Sequence, residues 1–237
     1  MKILSVESAA LVASAAICDD DKLICEVFSN TAKTHSQTLM PMIDSVLVQS
    51  GTELSDIGLI AVSIGPGSFT GLRIGVSAVK GLSHAAKIPI VGISSLCSMA
   101  YNLPFCEHLI SPIMDARRNQ VYNAVYEWEN DTLNELTPPR AIGIDELLDE
   151  LLQKNRRVVF LGDGVSPHKE HIKEKLGDMA VFAPASASLQ RASSLAAPAQ
   201  KLFDEGKATN CLELAPVYLR KSQAEREAEE KEKGEKK

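Results

Sequence analysis

The sequence predicts an α/β protein of two lobes, each a mixed sheet flanked by helices. Three observations carry that expectation. Strand-like runs precede helical ones, and this programme is written twice, on either side of a break at 104–107. A glycine segment, Gly65-Pro66-Gly67-Ser68-Phe69-Thr70-Gly71, joins a buried apolar run to a helical pattern. The chain has 237 residues, 45% hydrophobic and 24% charged, enough for one large domain or two small ones.

Residues 2–7, 11–18 and 23–29 read as an antiparallel meander, with turn chemistry at Ser8-Ala9-Ala10 and Asp19-Asp20-Asp21. A helix over 36–50 follows, capped by Thr34 or Ser36, with Leu39, Ile43, Val46, Leu47 and Ser50 on one face. Met40 and Val48 lie outside that face, and Pro41 must fall near the first turn or bend the helix. The run 58–64 is a strand that ends where Gly65 and Pro66 forbid ladder pairing. Ser68 or Thr70 caps a helix over 70–87, a strand covers 88–93, and a helix starts near Ser94 or Ser95.

The second half repeats the pattern. Strands are expected at 108–114 and 120–128, a turn at Asn130-Asp131 leads to the next, and a helix spans 144–152. A strand at 157–161 and a Gly162-Asp163-Gly164 turn precede a helix with Ser166 as cap and Pro167 in first position; a last helix covers 189–205. The expected lobes are 1–104 and 105–220. The tail 221–237, with six basic and six acidic residues and no large apolar side chain, reads as a solvated or frayed extension.

The helix over 70–87 has a broad apolar arc. At about 100° per residue, Leu72, Val76, Val79 and Ala86 share one stripe and Gly71, Gly75, Ala78, Leu82 and Ala85 the adjoining one, with Arg73, Ser77, Lys80 and His84 opposite. Small residues let another helix come close. Either the domain itself covers both stripes or a partner helix does.

Reactive constellations are sparse. The glycine segment matches neither a Walker loop nor a dinucleotide fingerprint, so its glycines are assigned to a tight turn and close packing. Cys18, Cys25, Cys97, Cys106 and Cys211 form no C-x-x-C pair and suit a reducing cytoplasm. Glu7 cuts the first apolar stretch too short for a signal peptide, and no run reaches the length of a membrane span. His168 and His171 could share a metal but sit among charged residues; His35 and Ser36 are adjacent and point about 100° apart. Asp115-Ala116-Arg117-Arg118 either binds an anion or is a turn held by its own ion pair. With the tail neutral, the body carries the net charge of −6, so any RNA contact is expected through something else.

Several of these features occur together in one family. A first strand ending in Glu7, Thr34-His35-Ser36-Gln37 before Leu39 and Pro41, the glycine segment through Gly75, Gly92-Ile93-Ser94-Ser95-Leu96, Asp115-Ala116-Arg117-Arg118 with Tyr122, and Pro216 with Tyr218-Leu219-Arg220 resemble the TsaB family, also called YeaZ. The resemblance implies two actin-like ATPase (ribonuclease H-like) lobes. It also implies a non-catalytic role in making threonylcarbamoyladenosine beside the tRNA anticodon: binding a TsaD-like transferase, meeting a TsaE-like ATPase through the complex and tRNA only indirectly, and forming a homodimer alone. Aligned with TsaD-like proteins, Ser95 and Met99 stand where a metal-binding histidine pair would be, and neither replaces imidazole at a hard-metal site. Glu7-Ser8-Ala9-Ala10 replaces the family's usual Asp-Thr-Ser-Thr and lacks two hydroxyls. No catalytic, cofactor or metal-binding residue is therefore assigned.

The expected working surface is the pair of helices at 36–50 and 70–87, through Leu39, Met40, Ile43, Leu47, Leu72, Arg73, Gly75, Val76, Val79 and Lys80. Val76→Glu or Gly75→Trp is expected to abolish docking and spare the fold. The alternative is an enzyme of the same superfamily, a small-molecule kinase or a metallopeptidase-like protein.

Overall fold

A computed structural model describes residues 1–31 and 33–220; the expected tail at 221–237 lies outside the described residues. The chain adopts the expected α/β class. In the first lobe, β1 (Lys2–Glu7), β2 (Ala13–Asp19) and β3 (Lys22–Ser29) form the antiparallel meander, and β4 (Ile57–Gly65) and β5 (Ile90–Ser94) extend the sheet in parallel from the other side of β1. The order is β3-β2-β1-β4-β5. Leu11, expected in a strand, stands exposed in the turn before β2. The helices are α1 (His35–Ser50), α2 (Phe69–Ala86) and the short α3 (Ser95–Ala100). Ser68 and Ser94 accept the capping hydrogen bonds from Gly71 N and Cys97 N.

The second lobe repeats this plan. Strands β6 (Leu109–Asp115), β7 (Gln120–Glu129) and β8 (Thr132–Gly143) are antiparallel neighbours, and β9 (Val158–Leu161) and β10 (Ala180–Phe182) add in parallel, giving β10-β9-β6-β7-β8. Its helices are α4 (Ile144–Lys154), α5 (Val165–Leu176) and α6 (Ala196–Asp204). Helix α5 starts earlier than expected: Gly164 precedes it with no side-chain cap, and Pro167 falls inside the first turn, where no N–H is needed. The last helix is shorter than expected. Residues ahead of it are pinned to β3, because Ser193 N and Oγ both donate to Glu26 Oε1 and Arg191 pairs with Glu26.

Alternation along the strands splits each sheet between two cores. In the first, Leu4, Val6, Ile60 and Val62 face α1 and α2, while Ile3, Leu59, Ala61 and Val91 face Leu195, Ala196 and Ala199 at the start of α6. In the second, Leu109, Ile113, Val121 and Val125 face α4 and α5, while Ile110, Met114, Ala124 and Tyr126 face Leu96, Met99 and Ala100 of α3. Each terminal helix thus covers the other lobe's sheet. The expected division at 104–107 separates the two sheets, but not the packing units: α6 and the chain after it return to the first sheet. Their apolar side chains fit its open face, with Thr209 bridging Ile90 and Leu214 buried in the α1–α2 core.

Candidate functional site

The α2 helix is placed by the glycine segment before it. Gly65 adopts φ +115°, a conformation that favours glycine, and ends β4. Beyond it Gly67, Gly71 and Gly75 face the Ser8-Ala9-Ala10 turn: a Cβ on each would come within 2.2 Å of Ala9 O, Ser8 O and Ser8 Oγ respectively. Ser8 Oγ donates to Gly71 O at 2.9 Å, and Ser68 N donates to Ala9 O at 2.7 Å. The small residues expected to admit a second helix therefore admit the chain's own first turn. The Ser68, Gly71 and Leu72 N–H groups at the helix start are all engaged within the chain, where a phosphate-binding turn would present them outward.

This packing redistributes the expected interface residues. Leu39 and Ile43 of α1 and Gly75, Val76 and Val79 of α2 are buried within the first lobe, where the β1–β2 turn and the sheet close over that side of the helices, and Leu72 is buried in the core between the lobes. Bulk or charge at Gly75 or Val76 consequently attacks the core, contrary to the expectation that these variants spare the fold. Outside lie Met40, 47% exposed, and Val48, 71% exposed, with Leu47, Ile74, Ala78 and Leu82 half-buried at the margin of the same core. Gly81 faces open space, with nothing within 4 Å of where a Cβ would sit.

Arg73 and Lys80 serve neither that open face nor the core. With His84 they form the polar stripe of α2, along which the C-terminal segment runs in the opposite direction. His84 Nδ1 lies 3.7 Å from Cys211 Sγ, Lys80 Nζ donates to Leu214 O at 3.0 Å, and Arg73 Nε donates to Tyr218 Oη at 3.0 Å. Tyr218 lies flat on Phe69, ring centroids 4.3 Å apart. Arg73 and Lys80, expected at the partner interface, are thus taken up by the chain's own C-terminal segment; the Pro216 and Tyr218-Leu219-Arg220 motif was the one signal that the segment had a fixed place.

Between the lobes, Glu7 is fully buried at the end of β1. Its Oε1 accepts from Ala9 N at 2.6 Å and Ser63 Oγ at 2.8 Å, while Oε2 has no hydrogen-bond partner among the described residues. Burial pushes this carboxyl up to about 7 against those hydrogen bonds, with the charge of Asp163 from the second lobe adding to the rise. Burial likewise raises Asp163, opposed by the Gln190 amide that donates to it at 3.3 Å. At the matching end of β6, Asp115 accepts from Arg117 N at 2.7 Å and pairs with its guanidinium at 3.6 Å, so the Asp115-Ala116-Arg117-Arg118 cluster is a turn with an internal ion pair.

The remaining sequence candidates are dispersed. His171 pairs with Asp145 of α4 at 2.7 Å, and His35 Nε2 lies 2.7 Å from Ala10 O. Ser95 and Met99 are both buried on α3, one turn apart. Among the described residues, no group of three or more His, Cys, Asp or Glu side chains is arranged to hold a metal ion, and no helix is long and apolar enough to cross a membrane.

Comparison with known proteins gives this architecture a family. The family model described as TsaD, tRNA N6-adenosine threonylcarbamoyltransferase, matches residues 25–228. The "tRNA threonylcarbamoyladenosine biosynthesis protein TsaB" of Bacillus subtilis is 36% identical over 95% of this chain and 96% of its own length. The Escherichia coli protein of the same name is 32% identical over 94% and 96%. A solved Pseudomonas aeruginosa protein, described as uncharacterized with similarity to peptidase YEAZ, superposes with TM-score 0.77 at 23% identity, covering 92% of this chain and 99% of that one, and so shares this fold. With a TsaD-type domain and TsaB-named relatives along nearly its whole length, the chain belongs to the TsaB family.

Proposed function

We propose that this chain acts in threonylcarbamoyladenosine synthesis on tRNA as a non-catalytic partner of a TsaD-like protein, which it binds through the outward face of α1 and α2. The names of its relatives supply the pathway. The observation that carries the binding mode is the apolar surface left open on α1 and α2, with Met40 and Val48 exposed, Leu47, Ile74, Ala78 and Leu82 half-buried, and Gly81 facing open space. Small residues at its centre let a partner helix approach closely, and a helix-pair contact of this kind would remove on the order of 800 Å² from each side. The interface residues are thus Met40 and Leu47 from the expected set, joined by Val48, Ile74, Ala78, Gly81 and Leu82.

Without the partner, the same patch pairs with a second copy. A TsaE-like ATPase is met through the complex, and tRNA is met indirectly, in keeping with a net charge of −6. The odd set of free cysteines suits a reducing cytoplasm. Light scattering after size exclusion, of this chain alone and mixed with its genome's TsaD-like protein, is expected to give a homodimer and then a mixed complex. A monomer that ignores the transferase overturns the reading. ATP turnover or metal-dependent cleavage by the purified chain alone would instead favour the enzyme alternative.

A further inference from the structure

We propose that residues 209–220 form a clamp that fixes the angle between the two lobes, tying the first lobe's glycine turn to the second lobe's β6–β7 turn. The segment is held at four successive places. Thr209 exchanges backbone hydrogen bonds with Ile90 at 2.8 and 3.0 Å, extending the free edge of β5. Leu214 sinks into the first core beside Gly92, where a Cβ would sit 3.1 Å from its Cδ1. Val217 N donates to Ile64 O at 2.7 Å, and Val217 O lies 2.5 Å from where a Cβ on Gly65 would be. The glycine turn is therefore shaped to receive this backbone. Tyr218 then stacks on Phe69 at an interplanar angle of 6° and accepts from Arg73, whose guanidinium also lies 5.7 Å from the tyrosine ring.

Up to this point every contact is with the first lobe. The next two residues cross over. Leu219 packs on the seam core, which joins Ala9, Ala10 and Leu72 of the first lobe to Ile110, Met114 and Tyr126 of the second. Arg220 Nη1 donates to Ala116 O at 2.6 Å, in the turn after β6. A segment anchored by backbone pairing, a buried leucine and a ring stack on one side, and by a charge-assisted hydrogen bond on the other, resists opening of the cleft between those anchors. Leu212, 83% exposed, belongs to the same segment and anchors nothing.

The test needs this chain alone, so its outcome is independent of whether a TsaD-like partner binds. Spin labels carried on unnatural residues at exposed Gln49 and Glu170 report the distance between lobes, and amide exchange reports docking of the segment. For Tyr218→Ala, exchange at Thr209 and Val217 is expected to quicken by about tenfold or more and the distance distribution to broaden. For Arg220→Ala, the distribution broadens while Thr209 and Val217 stay protected, because only the second-lobe anchor is lost. Leu212→Ser should change neither. If Tyr218→Ala frees the segment without altering the interlobe distances, or if Arg220→Ala leaves them as in the wild type, the segment is a passive covering and the clamp is refuted. Broadening by Leu212→Ser would refute it as well, since the anchors would then not be what matters.

Discussion

The two lobes share one strand order and differ in what their outer helices offer to the surroundings. Helices α1 and α2 carry Asp44, Arg73 and Lys80 as their only Asp, Glu, Lys or Arg residues, and both cations are turned to the C-terminal segment. Helices α4 and α5 are shorter yet carry ten such residues, stitched by pairs such as Lys175 with Asp149 at 2.7 Å and Lys173 with Glu170 at 3.1 Å. A charged outer layer of that kind contributes little to stability but keeps a helix pair comfortable in water. The same scaffold has one helix pair finished for solvent and another left with an apolar patch. The contrast supports the proposed partner surface without reference to any reactive group.

The largest expected effect comes from treating buried and open positions of α2 as interchangeable. Gly75→Trp places even its Cβ 2.2 Å from Ser8 Oγ, and Val76→Glu puts a carboxylate into an apolar core with no cation beside it. Each should cost about 3 kcal/mol or more and unfold the first lobe before it changes any interface. Urea denaturation followed by circular dichroism reads this; near-wild-type midpoints would place both residues at the surface and undo the contrast between the stripes.

The carboxylates that end β1 and β6 differ as the lobes do: Glu7 is sealed in, and Asp115 is paired with an exposed arginine. An acid whose folded pKa lies above its unfolded value stabilises the fold at low pH, and that advantage is lost as pH rises from about 4.5 to about 7. Above that range the buried charge is a standing penalty, on the order of 3 kcal/mol for a shift of this size. Glu7→Gln should therefore raise stability at pH 8 and flatten its dependence between pH 5 and 8. Equal stability of variant and wild type at pH 8 would mean that the carboxylate is better compensated than Ala9 N and Ser63 Oγ can account for.

At Gly81 the fold should be indifferent and the interface sensitive. Gly81→Arg replaces a helical glycine that has nothing within 4 Å, so the helix is expected to gain about 0.5–1 kcal/mol. Affinity for a TsaD-like partner should fall by at least about tenfold, near 1.4 kcal/mol, because a long cation then stands in the centre of the patch. Glu146→Arg on α4 is the matched control and should leave binding unchanged. Loss of binding with the control and not with Gly81→Arg would move the partner to the second lobe.

Much of the fold was legible because its determinants are local. The Gly65 turn, the Ser68 cap and the period of α2 lie within one short stretch, and the apolar runs at 2–7 and 120–128 mark strands that are buried on both faces for most of their length. The face of α2 that points outward was not legible. Periodicity relates the stripes of a helix to each other, but the neighbour of Gly71 and Gly75 is a turn 63 or more residues away in sequence, joined by the Ser8–Gly71 hydrogen bond. The polar stripe misled for the same reason: Arg73 and Lys80 read as interface residues until an aperiodic segment some 130 residues later is laid along them and His84. Helix α6 was recognisable as helical, yet nothing in its own residues says that it crosses to the first sheet.

The smallest effect is expected where the lobes' turns were hardest to tell apart on paper. Asp115-Ala116-Arg117-Arg118 offered either an anion site or a self-contained turn, and the turn closes through Arg117 N to Asp115 Oδ1 and through Gln120 N to Arg117 O. The side-chain pair adds little to those backbone bonds, since Arg117 is 88% exposed and its charge is well solvated. Arg117→Ala should therefore shift stability by no more than about 0.5 kcal/mol in either direction, read from the urea midpoint at low salt. The counterpart in the first lobe has no such tolerance, because Ser8 and Ala9 at the end of β1 are packed against glycines with no room to give. A loss of several kcal/mol at Arg117 would mean that the guanidinium holds the second lobe's turn as tightly as the glycines hold the first.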